Sequence, residues 1–238
     1  MAPAKVSATN LPYQTTLTNT HKPCHSLATL QRELDSIRPV LSLTETEETW
    51  DSIAKAVACL TSVSSNGACN YPVDLVSALR SLSRPLNNAM CSERSRLSGA
   101  VIDLLSTLAV GLGSQMEPLL PLFFPTLLLL CTRSSKVFVM RSRVCILAFI
   151  NNTQLPSILP FLVEAVKDKS VNLRLSAVEG VLACLNCFNP PDLEKDIRAQ
   201  SVEYVIRVTA RDANPDIRKV SRAIFEAYKA VLPGRVDK

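Results

Sequence analysis

Glycine, histidine and aromatic side chains are scarce in this chain, and each shortage removes a class of protein. Only six of its 238 residues are glycine. A sheet protein of this length spends more glycine on tight turns, whereas helices penalise it. The two histidines, His21 and His25, both fall in an N-terminal stretch rich in Thr, Pro, Ala and Asn, with no apolar period. No scaffold holds a base there, so a Ser/His/Asp or Cys/His arrangement is not expected. A phosphate-cradling glycine loop is also missing, and the chain reads as non-enzymatic, with no cofactor. The formal charge is a modest +5 with no block of five or six like charges, which excludes a nucleic-acid-binding arm. A helical array that binds nucleic acid would need bases spread over whole helix faces.

Cysteine and the longest apolar run require separate readings. The eight cysteines, at positions 24, 59, 69, 91, 131, 145, 184 and 187, lie mostly in apolar stretches with no secretory signal before them. They read as buried reduced thiols of a cytoplasmic protein. Cys184 and Cys187 form a C-x-x-C without a second pair at zinc spacing, and His21, Cys24 and His25 lack a fourth ligand, so no metal is expected. The run Pro118 to Cys131 (PLLPLFFPTLLLLC) has the leucine density of a membrane span. It falls short of the roughly 20 residues a span needs and contains three prolines, so a helix buried between neighbours is the expectation, with no membrane partner.

What remains is abundant Leu, Val, Ala and Ile within a hydrophobic fraction of 47%, a mixture suited to helix-on-helix contact. Residues 1–26 are expected to form a flexible tail and residues 27–236 a single elongated domain. Leu27, Leu30, Leu34 and Ile37 fall at helical spacing before Pro39, and a helix from Trp50 to Val63 completes a first pair. The same grammar recurs: Val73–Arg84 with Ser92–Val110, Glu117–Cys131 with Lys136–Ile150, Leu155–Val166 with Val171–Cys187, and Leu193–Thr209 with Pro215–Leu232. Within the fourth pair Val171, Leu175, Val178, Leu182 and Leu185 make one apolar stripe. The second helices share a pattern anchored at Arg96, Met140, Arg174 and Arg218, spaced 44, 34 and 44 residues apart. HEAT and armadillo arrays repeat at about 40 to 47 residues. The fold class is therefore all-α, an α-solenoid of HEAT-like antiparallel helix pairs.

In such a stack the turns inside the pairs line up along one edge. Read in order they present Thr49-Trp50, Ser92-Glu93-Arg94-Ser95, Arg133 to Val137, Lys167 to Arg174, and Arg211 to Arg218: a lone aromatic followed by bases. This series resembles the TOG domains of the CLASP family, which are tubulin-binding HEAT arrays, over about Glu48 to Val236. The residues carrying the resemblance are Trp50 after an acidic stretch, the Glu93-Arg94-Ser95 and Ser135-Lys136-Val137 turns, and Leu155-Pro156 through Pro160. Lys169-Ser170-Val171 with Arg174 and Asp212-Ala213 with Arg218 and Arg222, ahead of Phe225, Tyr228 and Pro233, complete it.

The resemblance implies a microtubule-regulating module that binds αβ-tubulin or the lattice, one of several domains in a longer chain, located on the cytoskeleton and spindle. Trp50 would anchor on β-tubulin with Arg94 beside it. Lys136, Lys169 and Arg174 would continue the edge, and Arg218 with Lys219 and Arg222 would approach α-tubulin. A large aromatic plus arginine is the mixture that dominates interface energetics. On the residues alone, Arg174 and Arg218 could instead close onto neighbouring helix ends. A generic HEAT adaptor of the karyopherin or phosphatase-scaffold type, gripping peptides in its concave face, is the alternative function. It predicts a polar or acidic inner helix surface rather than a basic turn edge.

Overall fold

The computed structural model describes residues 24–235. The expected tail lies outside the described residues up to position 23, His21 with it. At its end, Cys24 is buried, and its backbone N–H donates to the Asn66 carbonyl at 2.7 Å.

Among the described residues all regular structure is helical. The α-helices are α1 (Leu27–Leu41), α2 (Trp50–Ser65), α3 (Pro72–Ser81), α4 (Ser83–Met90), α5 (Ser95–Leu112), α6 (Leu120–Leu130), α7 (Lys136–Thr153), α8 (Leu159–Ala165), α9 (Val171–Cys187), α10 (Pro190–Leu193), α11 (Asp196–Thr209) and α12 (Pro215–Val231). They form five antiparallel pairs in two layers. The second helices α2, α5, α7, α9 and α12 pack side by side in that order, while α1, α3 with α4, α6, α8 and α11 cover them. The expected all-α solenoid is the observed one.

Several boundaries differ from expectation, mostly at prolines. Pro39 was expected to end the first segment but lies inside α1, its ring exposed and the helix held to its end by buried Leu41. A proline in a final turn forfeits a single ladder bond. The helix expected from Val73 to Arg84 breaks at Leu82 and restarts as α4, with Pro85 in the first turn, where backbone N–H groups have no intrahelical partner. Residues 113–119 and 156–158 are 3₁₀ turns leading into α6 and α8. The stripe expected on α9 holds at Val178 and Leu185, which are buried, but Leu175 and Leu182 are only half-buried and Val171 is 40% exposed. The buried face is rotated and widened to take in Leu173, Ala177, Val181 and Cys184, because α9 is enclosed by α7, α8 and α12 together.

The core follows from this enclosure. Phe123, Phe124 and Phe149 have no exposed surface, and the Phe124 ring lies 5.5 Å from Phe149 of α7 and 6.0 Å from Phe161 of α8. The apolar run that forms α6 is buried at Leu120, Phe123, Phe124, Leu127, Leu128 and Leu130. Counted together with α5 it makes 36 residues, Ser95–Leu130, long and apolar enough to cross a membrane. That stretch is interrupted at Gly113 (φ +54°), and its α5 half is flanked by α2 and α7, as a core helix is. The outer faces of α1 and α12 are largely polar, apart from Phe225 on α12. Gln31, Arg32, Asp35 and Arg38 face out on α1, and Lys219, Arg222 and Glu226 on α12.

The bend after α2 depends on Gly67, whose φ is +113° and whose missing Cβ would sit 2.9 Å from the Cys24 carbonyl oxygen. Gly67→Ala therefore meets both backbone strain and a fixed backbone atom. It is expected to cost about 1 to 2 kcal/mol, lowering the thermal midpoint by ~3 to 6 °C in a calorimetric scan.

Candidate functional site: the edge of intra-pair turns

The five turns between first and second helices span residues 42–49, 91–94, 131–135, 166–170 and 210–214. Trp50 begins α2 directly after the first of them and is half-buried, its ring resting on the core. Two guanidinium groups lie over that ring, Arg94 at 5.5 Å and Arg96 at 5.7 Å from its centroid. Arginine stacks well on indole because its planar cation is weakly hydrated. Both arginines are also held by carboxylates, Arg94 from the first turn and Arg96 from the start of α2. Arg94 pairs with Glu45 at 3.0 Å and Glu47 at 2.5 Å, while Arg96 pairs with Asp51 at 2.8 Å. The Lys55 ammonium, and after it Arg96, holds the Asp51 carboxyl below the usual aspartate value. Ser92 adds a hydroxyl bond to Glu45 at 2.7 Å and accepts the Arg94 backbone N–H at 3.1 Å, so the second turn is tied to the first.

Arg133 ties the third turn to the second. Its Nη1 donates to the Ser92 carbonyl at 3.0 Å and its Nη2 to the Cys91 carbonyl; Glu93 pairs with it at 3.3 Å, and its guanidinium lies 4.5 Å from the Phe138 ring centroid. The fourth and fifth turns are built to one plan. In each, an aspartate accepts the N–H two residues on: Asp168 from Ser170 at 2.7 Å, and Asp212 from Asn214 at 2.8 Å. Ser170 and Asn214 then cap α9 and α12. Four residues after each cap an arginine folds back on the turn's carbonyls. Arg174 Nη1 reaches Asp168 and Lys169, both at 3.0 Å, and Arg218 Nη1 reaches Asp212 at 2.7 Å and Ala213 at 2.8 Å.

Arg174 does more, since its Nε and Nη2 grip both Asp212 oxygens at 2.8 and 3.1 Å with the two side chains only 15% and 10% exposed. This fork joins the fourth turn to the fifth and draws the Asp212 carboxyl below the usual aspartate range. Arg174 and Arg218 are thus committed to backbone carbonyls and, for Arg174, to an ion pair. Lys136, Lys169, Lys219 and Arg222 are exposed and make no ion pair among the described residues. The structure brings Trp50 and Arg94 into contact at one end of the edge, and Arg174 and Arg218 around Asp212 at the other. Arg133, read from the sequence as the start of the third turn, and Arg96, read only as a repeat anchor, complete the first group, although neither was assigned to the binding set; for Arg96 the available signal was its position two residues past Arg94.

The cysteines are all free, and among the described residues no cluster of three metal-ligating side chains occurs. Their expected burial fails at Cys91, which is exposed because it sits in the second turn rather than in a helix, and Cys59, Cys69 and Cys187 are only half-buried. Cys184 and Cys187 lie on the last turn of α9, where burial pushes the Cys187 thiol up to about 11 and holds the Cys184 thiol well above the usual thiol value, against thiolate chemistry.

Five helix pairs whose intra-pair turns line up along one edge, opened by a tryptophan, define a TOG-type HEAT-repeat module. Two solved structures share this fold. One was described under "Crescerin uses a TOG domain array to regulate microtubules in the primary cilium" (TM-score 0.59, 14% identity, 85% of this chain and 79% of that one). The other was described under "Structural Basis of Microtubule Plus End Tracking by XMAP215, CLIP-170 and EB1" (TM-score 0.61, 16% identity, 87% and 86%). Residues 30–238 match the family described as CLASP N terminal, and the chain belongs to that family. Among similar proteins are peg1 of Schizosaccharomyces pombe, 27% identical over 210 residues, and stu-1 of Neurospora crassa, 24% identical over 213. Each alignment takes in 86% of this chain but only 14% and 19% of those much longer relatives.

Proposed function

We propose that this chain is a non-catalytic module that binds αβ-tubulin, free or in the microtubule lattice, through the edge of intra-pair turns, and so regulates microtubule dynamics. The observation that carries this reading is Trp50, half-exposed under two arginines at one end of an edge whose far turns present unpaired cations. Membership of the CLASP N-terminal family and the TOG-type fold support the choice of partner. Tubulin is acidic, and an edge of this composition pairs one aromatic anchor with charges that speed encounter. In this reading Trp50 and Arg94 contact β-tubulin, and Lys136, Lys169, Lys219 and Arg222 continue toward α-tubulin. Arg174 and Arg218 hold the turns in shape from behind. The module works on the cytoskeleton and spindle as one domain of a longer chain, whose other domains supply avidity.

The test is size-exclusion binding to purified αβ-tubulin and co-sedimentation with microtubules. Trp50→Glu, shown by circular dichroism to be folded, is expected to weaken binding at least ~30-fold. Exchanging Lys136, Lys169, Lys219 and Arg222 for alanine is expected to slow association and flatten its salt dependence. Failure of the unmodified chain to bind either form would overturn the reading.

A further inference from the structure

A cleft of about 480 Å³ opens between the first turn and α4, with α2 and the start of α5 beneath it. Its floor is finished core: Leu41, Ile53, Ala89 and Leu97 line it and are all buried. One wall is Leu43, which stands 47% exposed immediately after α1 has ended. The opposite rim carries Arg84 and Asn88, both exposed, and among the described residues Arg84 has no ion pair and Asn88 no side-chain hydrogen bond. Glu45 also lines the cleft, but its Oε1 is taken by Arg94 and by the Ser92 hydroxyl, so its charge is already answered. The cleft is therefore apolar at the bottom and cationic at the mouth, with an amide ready to donate.

We infer that this cleft is a second binding site, which receives a leucine-sized apolar side chain from a short acidic protein segment, with the neighbouring carboxylate on Arg84. Size and lining both point there. The volume suits one or two side chains rather than a folded surface, and an apolar floor with a few polar groups at the rim is how pockets fix orientation. The open mouth lets the side chain enter while still attached to its backbone. A basic or purely polar segment gains nothing from this arrangement, since Arg84 repels the first and the floor offers the second no partner. The site shares the first turn with the edge through Glu45, but Trp50 does not line it, so the two can be separated by substitution at Trp50.

Methyl NMR of the whole chain tests this with two small probes, N-acetyl-leucyl-glutamate and N-acetyl-leucinamide. Shifts are expected at the Leu41, Leu43, Ile53 and Ala89 methyls, with the carboxylate probe binding ~5-fold more tightly at low salt. Arg84→Gln is expected to abolish that preference while leaving leucinamide binding intact, and Leu43→Ser to weaken both. Both positions are exposed, so the fold is preserved. Trp50→Glu should change neither probe, which separates this site from tubulin binding. Absence of shifts at probe concentrations of about 20 mM, shifts centred elsewhere, or a carboxylate preference that survives Arg84→Gln would each overturn the inference.

Discussion

Arg174→Ala is expected to lower the unfolding free energy by about 3 kcal/mol, an effect of the size seen when one partner of a buried ion pair is removed. The loss has two parts. The Asp168 and Lys169 carbonyls lose a charged donor, and the Asp212 carboxylate, 10% exposed, keeps one hydrogen bond, from the Asn214 N–H, and the more distant charge of Arg218. Arg174→Lys should recover little, because a point charge cannot span both carboxylate oxygens and the turn. Arg218→Ala removes two carbonyl bonds without orphaning a charge and should cost only about 1 to 2 kcal/mol. Urea unfolding followed by circular dichroism checks all three. A cycle with Asp212→Ala should give a double loss well below the sum of the singles.

The same pair predicts a pH signature. The Arg174 guanidinium depresses the Asp212 carboxyl in the folded chain, so its contribution is complete above the unfolded aspartate value of about 3.9. It fades as pH falls through the lower folded value. The stability gap between the unmodified chain and Arg174→Ala should thus be full at about pH 7 and shrink steadily below about pH 4. A gap that stayed constant into acid would assign the effect to lost turn bonds alone.

Phe124→Ala should be costlier still, by about 4 kcal/mol, since a fully buried phenylalanine leaves both lost transfer energy and a cavity. The ring also gives up its contacts with Phe149 and Phe161, each pair contributing about 0.5 to 1.5 kcal/mol beyond burial. Phe124 touches α6, α7 and α8 at once, so no single neighbour can relax to fill the space. Phe124→Leu should recover more than half of the loss. The same unfolding curves measure it, and a cost under about 1 kcal/mol for the alanine variant would mean that the site collapses freely.

These effects differ in how far the sequence foretold them. Helices α7, α9 and α12 start at Lys136, Val171 and Pro215, where periodicity and turn residues predict, because caps and apolar spacing are local signals. Prolines mark the misses: Pro39 read as a stop, and the helix expected to end at Arg84 runs on past Pro85 as α4, because a proline in a first or last turn costs little. The rotated buried face of α9 depends on having neighbours on three sides, which no single helix records. The plan of the fourth and fifth turns was visible in principle, as aspartate, a capping Ser or Asn two residues on, and arginine four further on: Asp168, Ser170, Arg174 and Asp212, Asn214, Arg218. What one turn's sequence cannot hold is the Arg174 grip on the next turn's aspartate, 38 residues away, nor the Arg94 grip on Glu45, 49 residues away. Those distances close only when pairs stack at their actual rise.

The ties along the edge fall into two groups. Arg94 and Arg133 bind the first three turns together, and Arg174 binds the last two, but among the described residues no hydrogen bond or ion pair links the third turn to the fourth. Below that gap the third and fourth pairs meet through Phe124, Phe149 and Phe161, with Arg143 and Glu179 paired deeper between α7 and α9. Hydrogen bonds and ion pairs fix the angle between the turns they join, and the third and fourth turns have none between them. The edge therefore behaves as two stiff bars with one compliant joint. Any change in the angle between the Trp50 end and the Lys219 end is expected to concentrate at that joint, where a partner that straightens or curves can be followed with the ties along each half of the edge left intact and only the Arg143–Glu179 pair to adjust.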